Sequence, residues 1–579
     1  MGSQRKARRL GLVGTAITFG LVSLWFMMMN NPRGRNVPAM KKNRPSVTLR
    51  QGTVLGLEED SSHGAFPQVL EEFLGIPYAL STERQRRFKP PVPVTSSKDE
   101  IDAGSFGARC PSGPGDAIIQ SEDCLNLNIF RPKIRDENEK LPVLVYVHGG
   151  SFNFGSGSSR AISSLVAWSE SPMIGISFNY RVGAFGFLPS KLAAKEGLLN
   201  LGLKDQELLL KWVQDNIAAF GGDPDNVTIM GLSAGAHSVG HHVMHNPESP
   251  PLFHRAIIES GATTARAVYR YDNAIVEKQF QEFLSHLNLE TVSESNIFNK
   301  LRALPTSQIK QASEAVFDKY NPSIRWPFQP VIDGPGGMIP IAPIKAWRTK
   351  KWHKIPILTG FNTNEGAMFV PSTLSKSQQF TAFFRTLLPG LSSEDLETLN
   401  KVYPDPISHP TSKYAETRKG LAAQFKRVEQ AYGHFAYIAP VRQTVNFAAS
   451  GPAPIYLYHF AANSSIRGGA DHGDHASFVT YNKETKDISP TIAEIAGTMH
   501  AYWTSFITTG DPNKLGGRFE DRPVWPKYVL GKAKKMLFGE GNDERAGQKH
   551  KGKAVQVVDD SWAKEECDFW WERTEKFEV

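Results

Sequence analysis

Apolar residues in this chain fall into short strand-like runs broken by one long helical register. Residues 47–55 and 124–129 alternate apolar and polar positions, whereas 142–147, 174–180 and 227–230 are nearly continuous apolar, β-branched runs. Runs of this length and character predict strands, the continuous ones buried on both faces. Residues 201–220 instead space their apolar positions at helical intervals and lead straight into the run at 227–230. Strands alternating with helices predict an α/β layer fold built on a large, mostly parallel sheet flanked by helices. The N-terminus departs from this pattern. Residues 10–29 form an uncharged, mainly apolar stretch whose only hydroxyl residues are Thr15, Thr18 and Ser23. About 20 such residues span a bilayer as a helix.

Composition changes that picture little. The chain has 579 residues, 40% hydrophobic and 21% charged, within the ordinary globular range. Length alone suggests about four domains, but the strand and motif signals run in one unbroken order, which argues for one. The net charge of +8 looks like a nucleic-acid signal until it is located. Residues 1–44 hold nine Lys or Arg and no acid, so the rest of the chain is close to neutral and no nucleic-acid-binding body is expected. The expected organisation is a basic tail at 1–9, a signal-anchor at 10–29, a Pro-, Asn- and Lys-rich linker at 30–46 and a catalytic body at 47–579. The apolar run ends in Met27-Met28-Met29-Asn30-Asn31-Pro32 with no small-x-small cleavage site, which favours an uncleaved anchor over a removed signal peptide. Basic residues flank the span on both sides, so charge leaves its orientation open; the large C-terminal body with its candidate disulfide favours a lumenal or extracellular side.

Three cysteines allow one bridge and one leftover thiol. Cys110 and Cys124 flank a Gly/Pro-containing loop, and bridging them would contribute about 3 kcal/mol in the chain-entropy account; two reduced thiols are the alternative. Sequons occur at Asn226 and Asn463. Asn463 is the better glycan acceptor, because Asn226 adjoins a predicted buried strand.

The candidate chemistry centres on Gly231-Leu232-Ser233-Ala234-Gly235, which follows the strand at 227–230 and precedes small residues with helical character from Ala236. This is the context of a nucleophile elbow, where glycines let strand and helix pass closely while the serine is pushed outward. A serine so placed needs a base and an acid elsewhere in the chain. Of sixteen histidines, His237, His241 and His242 sit on the helix behind the elbow and read as structural.

Other motifs narrow the class. Phe73-Leu74-Gly75-Ile76-Pro77-Tyr78, Ser121-Glu122-Asp123-Cys124-Leu125, Val147-His148-Gly149-Gly150, Asn200-Leu201-Gly202-Leu203-Lys204-Asp205-Gln206, Phe220-Gly221-Gly222-Asp223-Pro224 and Thr509-Gly510-Asp511-Pro512-Asn513 occur in that order. With the elbow, they make the chain resemble the type-B carboxylesterase/lipase family over about residues 47–571. The resemblance implies an α/β-hydrolase fold in a single catalytic domain. It also implies a triad of Ser233, Glu365 (in Asn362-Thr363-Asn364-Glu365-Gly366) and His472 (in His472-Gly473-Asp474), in the Ser, acid, His order of that fold. His475, three residues on, is the competing base. The implied oxyanion hole comprises the N–H groups of Gly150, Ser151 and Ala234. Many relatives have a third Gly where this chain has Ser151. Phe152, Trp326 and Phe328 match pocket-lining positions. No metal or cofactor is implied.

Cholinesterases of the family carry Glu before the serine, where this chain has Leu232, and a Trp in the loop here spanning 111–123, which has no aromatic. A choline site is therefore not expected. The expectation is a serine carboxylesterase acting on uncharged hydrophobic esters. An acylglycerol lipase, a pathway transesterase and a non-catalytic neuroligin-like adhesion protein are the alternatives. The oligomeric state is open.

Overall fold

Strands covered on both faces need no polar face, which is why the middle of the sheet reads as near-continuous apolar sequence. The computed structural model describes residues 44–59, 66–113, 119–133, 139–266, 268–464 and 468–578. The expected basic tail, the apolar stretch at 10–29 and nearly all of the linker lie outside these residues. No helix among the described residues is long and apolar enough to cross a membrane.

The described strands are β1 (Ser46–Leu49), β2 (Gly52–Leu55), β3 (Leu57–Glu59), β4 (Leu70–Pro77), β5 (Glu100–Asp102), β6 (Asn126–Pro132), β7 (Leu141–Val147), β8 (Ile174–Phe178), β9 (Gly222–Leu232), β10 (Arg255–Glu259), β11 (Ile357–Asn362), β12 (Ile455–Phe460), β13 (Lys534–Glu540) and β14 (Lys553–Asp559). β1, β2 and β5 make a small sheet, and the other eleven form one large sheet ordered β14-β13-β12-β11-β10-β9-β7-β8-β6-β4-β3. From β8 through β13 neighbouring strands are parallel, and antiparallel pairs close both edges. The expected α/β fold with a mostly parallel sheet is what forms.

Two cores sandwich this sheet, and strand alternation sorts residues between them. Val143, Val145 and Val147 of β7 enter one, with Val227 and Ile229 of β9. Leu144 and Tyr146 enter the other, with Met230 and Leu232. The helices Leu201–Asn216 and Ala234–Met244 cover the first face. The long helix Pro490–Thr509 covers the second.

Two local expectations change. Residues 47–55 do not form one strand. They fold into the antiparallel hairpin β1–β2, pairing Val47 with Val54. Gly52 turns the chain at φ 137°, where a Cβ would lie 2.5 Å from the Asp99 carbonyl oxygen. Arg44, placed in the expected linker, is already docked. Its guanidinium donates to the carbonyls of Leu55 and Gly56 and pairs with Asp102.

Candidate active site

The C-terminal ends of the parallel strands meet along one edge of the sheet, the usual place for a site in such folds. Ser233 follows β9 directly, and the helix behind it begins at Ala234, two residues earlier than the sequence indicated. Its backbone sits at φ 60°, ψ −124°, a sparsely populated region that costs about 1–3 kcal/mol. Packing enforces the turn. The Ser233 N–H donates to the Glu259 carbonyl of β10 (3.0 Å), and the His237 N–H donates to the Ser233 carbonyl (2.9 Å). The two glycines are steric requirements. A Cβ on Gly231 would lie 2.3 Å from Gly235, and one on Gly235 would lie 2.0 Å from the Val147 carbonyl oxygen.

Glu365 lies just past β11, and His472 lies on the longer loop that follows β12. Glu365 is fully buried; its Oε2 is 2.5 Å from His472 Nδ1, and its Oε1 accepts the Asn362 N–H at 2.7 Å. The two loops are stitched together. The Asn364 N–H donates to the Ala470 carbonyl, and Asn362 Nδ2 donates to the Asp471 carbonyl at 2.6 Å. Gly366 passes so close to the Glu429 carbonyl oxygen that a Cβ would lie 1.9 Å from it. The His472 loop reaches the elbow, since a Cβ on Gly473 would meet Leu232 Cδ2 at 3.6 Å. His472 Nε2 is buried and has no hydrogen-bond partner among the described residues. Tyr437 and Phe369 flank its ring, with centroids 4.5 and 5.1 Å away.

His475 is engaged differently. It faces Glu259 at 3.8 Å and the Tyr458 hydroxyl at 3.2 Å. Glu259 is fully buried, which alone would raise its carboxyl. Arg160 and His475 outweigh burial and hold it down to about 2. Trp503 Nε1 completes this network at 2.8 Å, so it anchors the strand end that supports Ser233.

The loop after β7 bends through Gly150 (φ 115°), Ser151 (φ 56°) and Phe152 (φ 61°). Two side-chain amides hold the Ser151 carbonyl, Asn153 Nδ2 at 2.9 Å and Gln329 Nε2 at 2.8 Å. Ser151 thus adopts the left-handed geometry a glycine would take more readily, with its peptide pinned. The N–H groups of Gly150, Ser151 and Ala234 donate to no protein acceptor among the described residues. Beneath the loop, Tyr180 stacks on His148 and donates to the His148 carbonyl at 2.8 Å.

A small cavity of about 80 Å³ lies beside the elbow. Phe152, Trp326 and Phe328 all line it, as do His237, Arg266 and Arg325. The last three were not singled out from sequence for this role. His237 carries no local mark of a cavity role, and no local pattern marks an arginine as facing a cavity. Cys110 and Cys124 are disulfide-bonded, and Cys567 is a buried free thiol. Asn226 Oδ1 accepts from Arg255, and its Nδ2 faces the Thr508 carbonyl at 3.5 Å. Asn463 is partly exposed and donates its backbone N–H to Asn542.

Buried histidines make the fold acid-sensitive. Burial pushes His148 down to about 4, and His241, His242, His434 and His500 down to about 3. These rings stay neutral in the folded protein while the unfolded chain protonates below about 6.5. Their contribution is whole above that pH and is lost as pH falls towards 3–4, at about 1.4 kcal/mol per unit for each ring. Carboxyls raised by burial oppose them, Glu429 and Glu578 most strongly. Burial raises Glu429 to about 7 and Glu578 to about 8, and the cost of ionising them shrinks as pH falls from 8 to about 4.5. Five rings outnumber these two acids, so the melting temperature should fall steeply from pH 6.5 to 4.5. A flat profile in differential scanning fluorimetry over that window would refute this.

The fold is that of an α/β-hydrolase. The sequence model of the carboxylesterase family matches residues 43–570, and the chain belongs to that family. It is a carboxylic ester hydrolase. Secreted lipase 4 of Gibberella zeae is 34% identical over 518 residues, covering 88% of this chain and 89% of that protein. Para-nitrobenzyl esterase of Bacillus subtilis is 30% identical, covering 83% of this chain and 92% of its own. Among solved structures, EstA of Aspergillus niger superposes with a TM-score of 0.78 at 26% identity, covering 93% of this chain and all of that one.

Proposed function

We propose that this protein hydrolyses carboxylic esters through Ser233, His472 and Glu365. The observation that carries the reading is the buried His472–Glu365 contact beside the strained Ser233 elbow, with His472 Nε2 left unpartnered. His472 takes the Ser233 proton through Nε2 as the hydroxyl oxygen attacks the ester carbonyl. Glu365 fixes the ring with its proton on Nδ1 and stabilises the imidazolium. The N–H groups of Gly150, Ser151 and Ala234 receive the developing oxyanion, each worth about 10²–10³ in rate. The imidazolium protonates the leaving alcohol, and water, deprotonated by His472, then releases the acid from the acyl-enzyme.

Cavity walls of Phe152, Trp326 and Phe328 favour hydrophobic acyl groups. Lipase and transesterase activity share the same acyl-enzyme and differ in what enters or leaves. The intact serine, acid and histidine weigh against a purely adhesive role. We assign the body to the secretory pathway on the Cys110–Cys124 bridge, since such bonds persist in oxidising compartments. The segment at 10–29 acts as its anchor, with a cleaved signal as the alternative, and Asn463 is preferred to Asn226 as glycan acceptor.

Intact mass after fluorophosphonate treatment tests the mechanism. One adduct, mapped to the Ser233 peptide and blocking turnover of p-nitrophenyl esters, is expected. An adduct elsewhere, or none on active protein, would sink it. Turnover of dispersed short esters exceeding that of micellar long-chain esters would set esterase above lipase.

A further inference from the structure

Buried arginines in this protein normally have a carboxylate. Arg87 pairs with Glu122, Arg160 with Glu259, Arg181 with Asp205 and Arg442 with Asp560. Two half-buried arginines at the cavity near the elbow have no such partner. The cavity is lined by both Arg266 and Arg325, and no Asp or Glu is among its lining residues. Neither guanidinium has an ion-pair partner among the described residues. Arg325 Nε is buried without any hydrogen-bond partner, although its backbone carbonyl is held by Gln279 Nε2 at 2.8 Å. Arg266 sits at φ 62° with its guanidinium carbon 5.0 Å from the centroid of the Trp326 ring. The ring orients this cation without neutralising it.

The cavity lies against the helix that follows Ser233, although Ser233 is not among its lining residues. His237, one helical turn beyond Ser233, lines it, and Phe152 beside Ser151 closes another side. The Trp326 ring connects onward through Phe369, at 5.4 Å, to His472. The buried Arg325 Nε–H lacks an acceptor in the protein, and a ligand that supplied one would remove the cost of leaving it unmade. A planar fork of N–H donors suits a carboxylate above other groups.

We propose that this cavity binds the acyl half of a monoester of a short dicarboxylic acid, with its free carboxylate between Arg266 and Arg325 and its ester carbonyl at Ser233. The apolar walls take the intervening methylenes. This rests on the Ser233 reading and extends it. The expectation of an uncharged ester rests on Leu232, the aromatic-free loop at 111–123 and the aromatic pocket positions, and the two arginines add a charged end to that pocket.

The test compares p-nitrophenyl butanoate, p-nitrophenyl hydrogen glutarate and 4-carboxyphenyl butanoate, the last carrying its anion on the alcohol side. Wild type should favour the glutarate half-ester over the butanoate by about 10-fold or more in kcat/KM, and the preference should shrink with added salt. Arg266→Met and Arg325→Met should each lower that ratio about 10-fold, while Arg266→Lys retains part of it. The wild-type ratio is readable even where a variant fails to fold. A wild-type preference for the butanoate, or a ratio unchanged in both Met variants, would overturn the proposal. An arginine-dependent preference for 4-carboxyphenyl butanoate would overturn its acyl-side placement. Folded wild type that turns over none of the three esters would instead overturn the Ser233 reading itself.

Discussion

Ser233→Ala should lower kcat for p-nitrophenyl esters by about 10⁴-fold or more, with the folded protein intact. The expected size follows from what is removed. Without the hydroxyl there is no acyl-enzyme, and only substrate binding and the oxyanion donors remain, typically worth a residual 10³–10⁴ over water. The fold should survive because the hydroxyl does not hold the elbow. That turn is fixed by backbone bonds from Ser233 to Glu259 and from His237 to Ser233, and by the contact between Gly231 and Gly235. Alanine meets the same φ of 60° with the same Cβ. Unchanged melting with lost turnover and lost fluorophosphonate labelling is the expected triple result. A variant retaining more than about a hundredth of the wild-type rate would place the nucleophile elsewhere.

Gly235→Ala should have the opposite signature, a large loss of stability from one added methyl group. Its Cβ would lie 2.0 Å from the Val147 oxygen and 2.9 Å from the His148 oxygen. Both are backbone atoms at the end of β7, which pairs with β8 on one side and β9 on the other. A flexible side chain swings away, whereas a central strand does not, so the helix at Ala234–Met244 must lift. Overpacking of this kind costs about 1–3 kcal/mol, and more where backbone blocks relief. The expected outcome is a lower urea midpoint or loss of soluble protein. Surviving enzyme should be impaired, since the Ala234 N–H moves with the helix. Gly516→Ala is the control. Its Cβ would meet only the Glu520 side chain, at 3.3 Å, and surface changes of that sort stay within about 0.5 kcal/mol. Equal melting of wild type and Gly235→Ala would mean that the elbow is looser than described.

The contrast between these two residues shows where the sequence was legible. Ser233 and its glycines stand within five positions, between a β-branched run and a helical one, so local chemistry marks them. The same holds for β7, β8 and β9, whose apolar runs were recognisable because burial on both faces leaves a continuous signature. The hairpin at β1–β2 was not, because alternation continues across a two-residue turn and hides the break at Gly52. The helix start was placed late because Ala234 and Gly235 have no periodicity to read.

By itself, then, the amino-acid sequence determined the layered α/β fold, the elbow and, through the order of its motifs, the candidates Glu365 and His472. Tertiary structure decided which histidine meets which acid. His472 faces Glu365 at 2.5 Å while His475, three residues later, faces Glu259. Neither choice is encoded in spacing, because each partner arrives from a different strand end. It also brought Arg266 and Arg325 to the lining of one cavity across 59 positions of chain. The physical reason is the same throughout. Secondary structure is written in neighbours a few residues apart, whereas the polarity and charge of a cavity are set by side chains that only the closed sheet and its helices bring together.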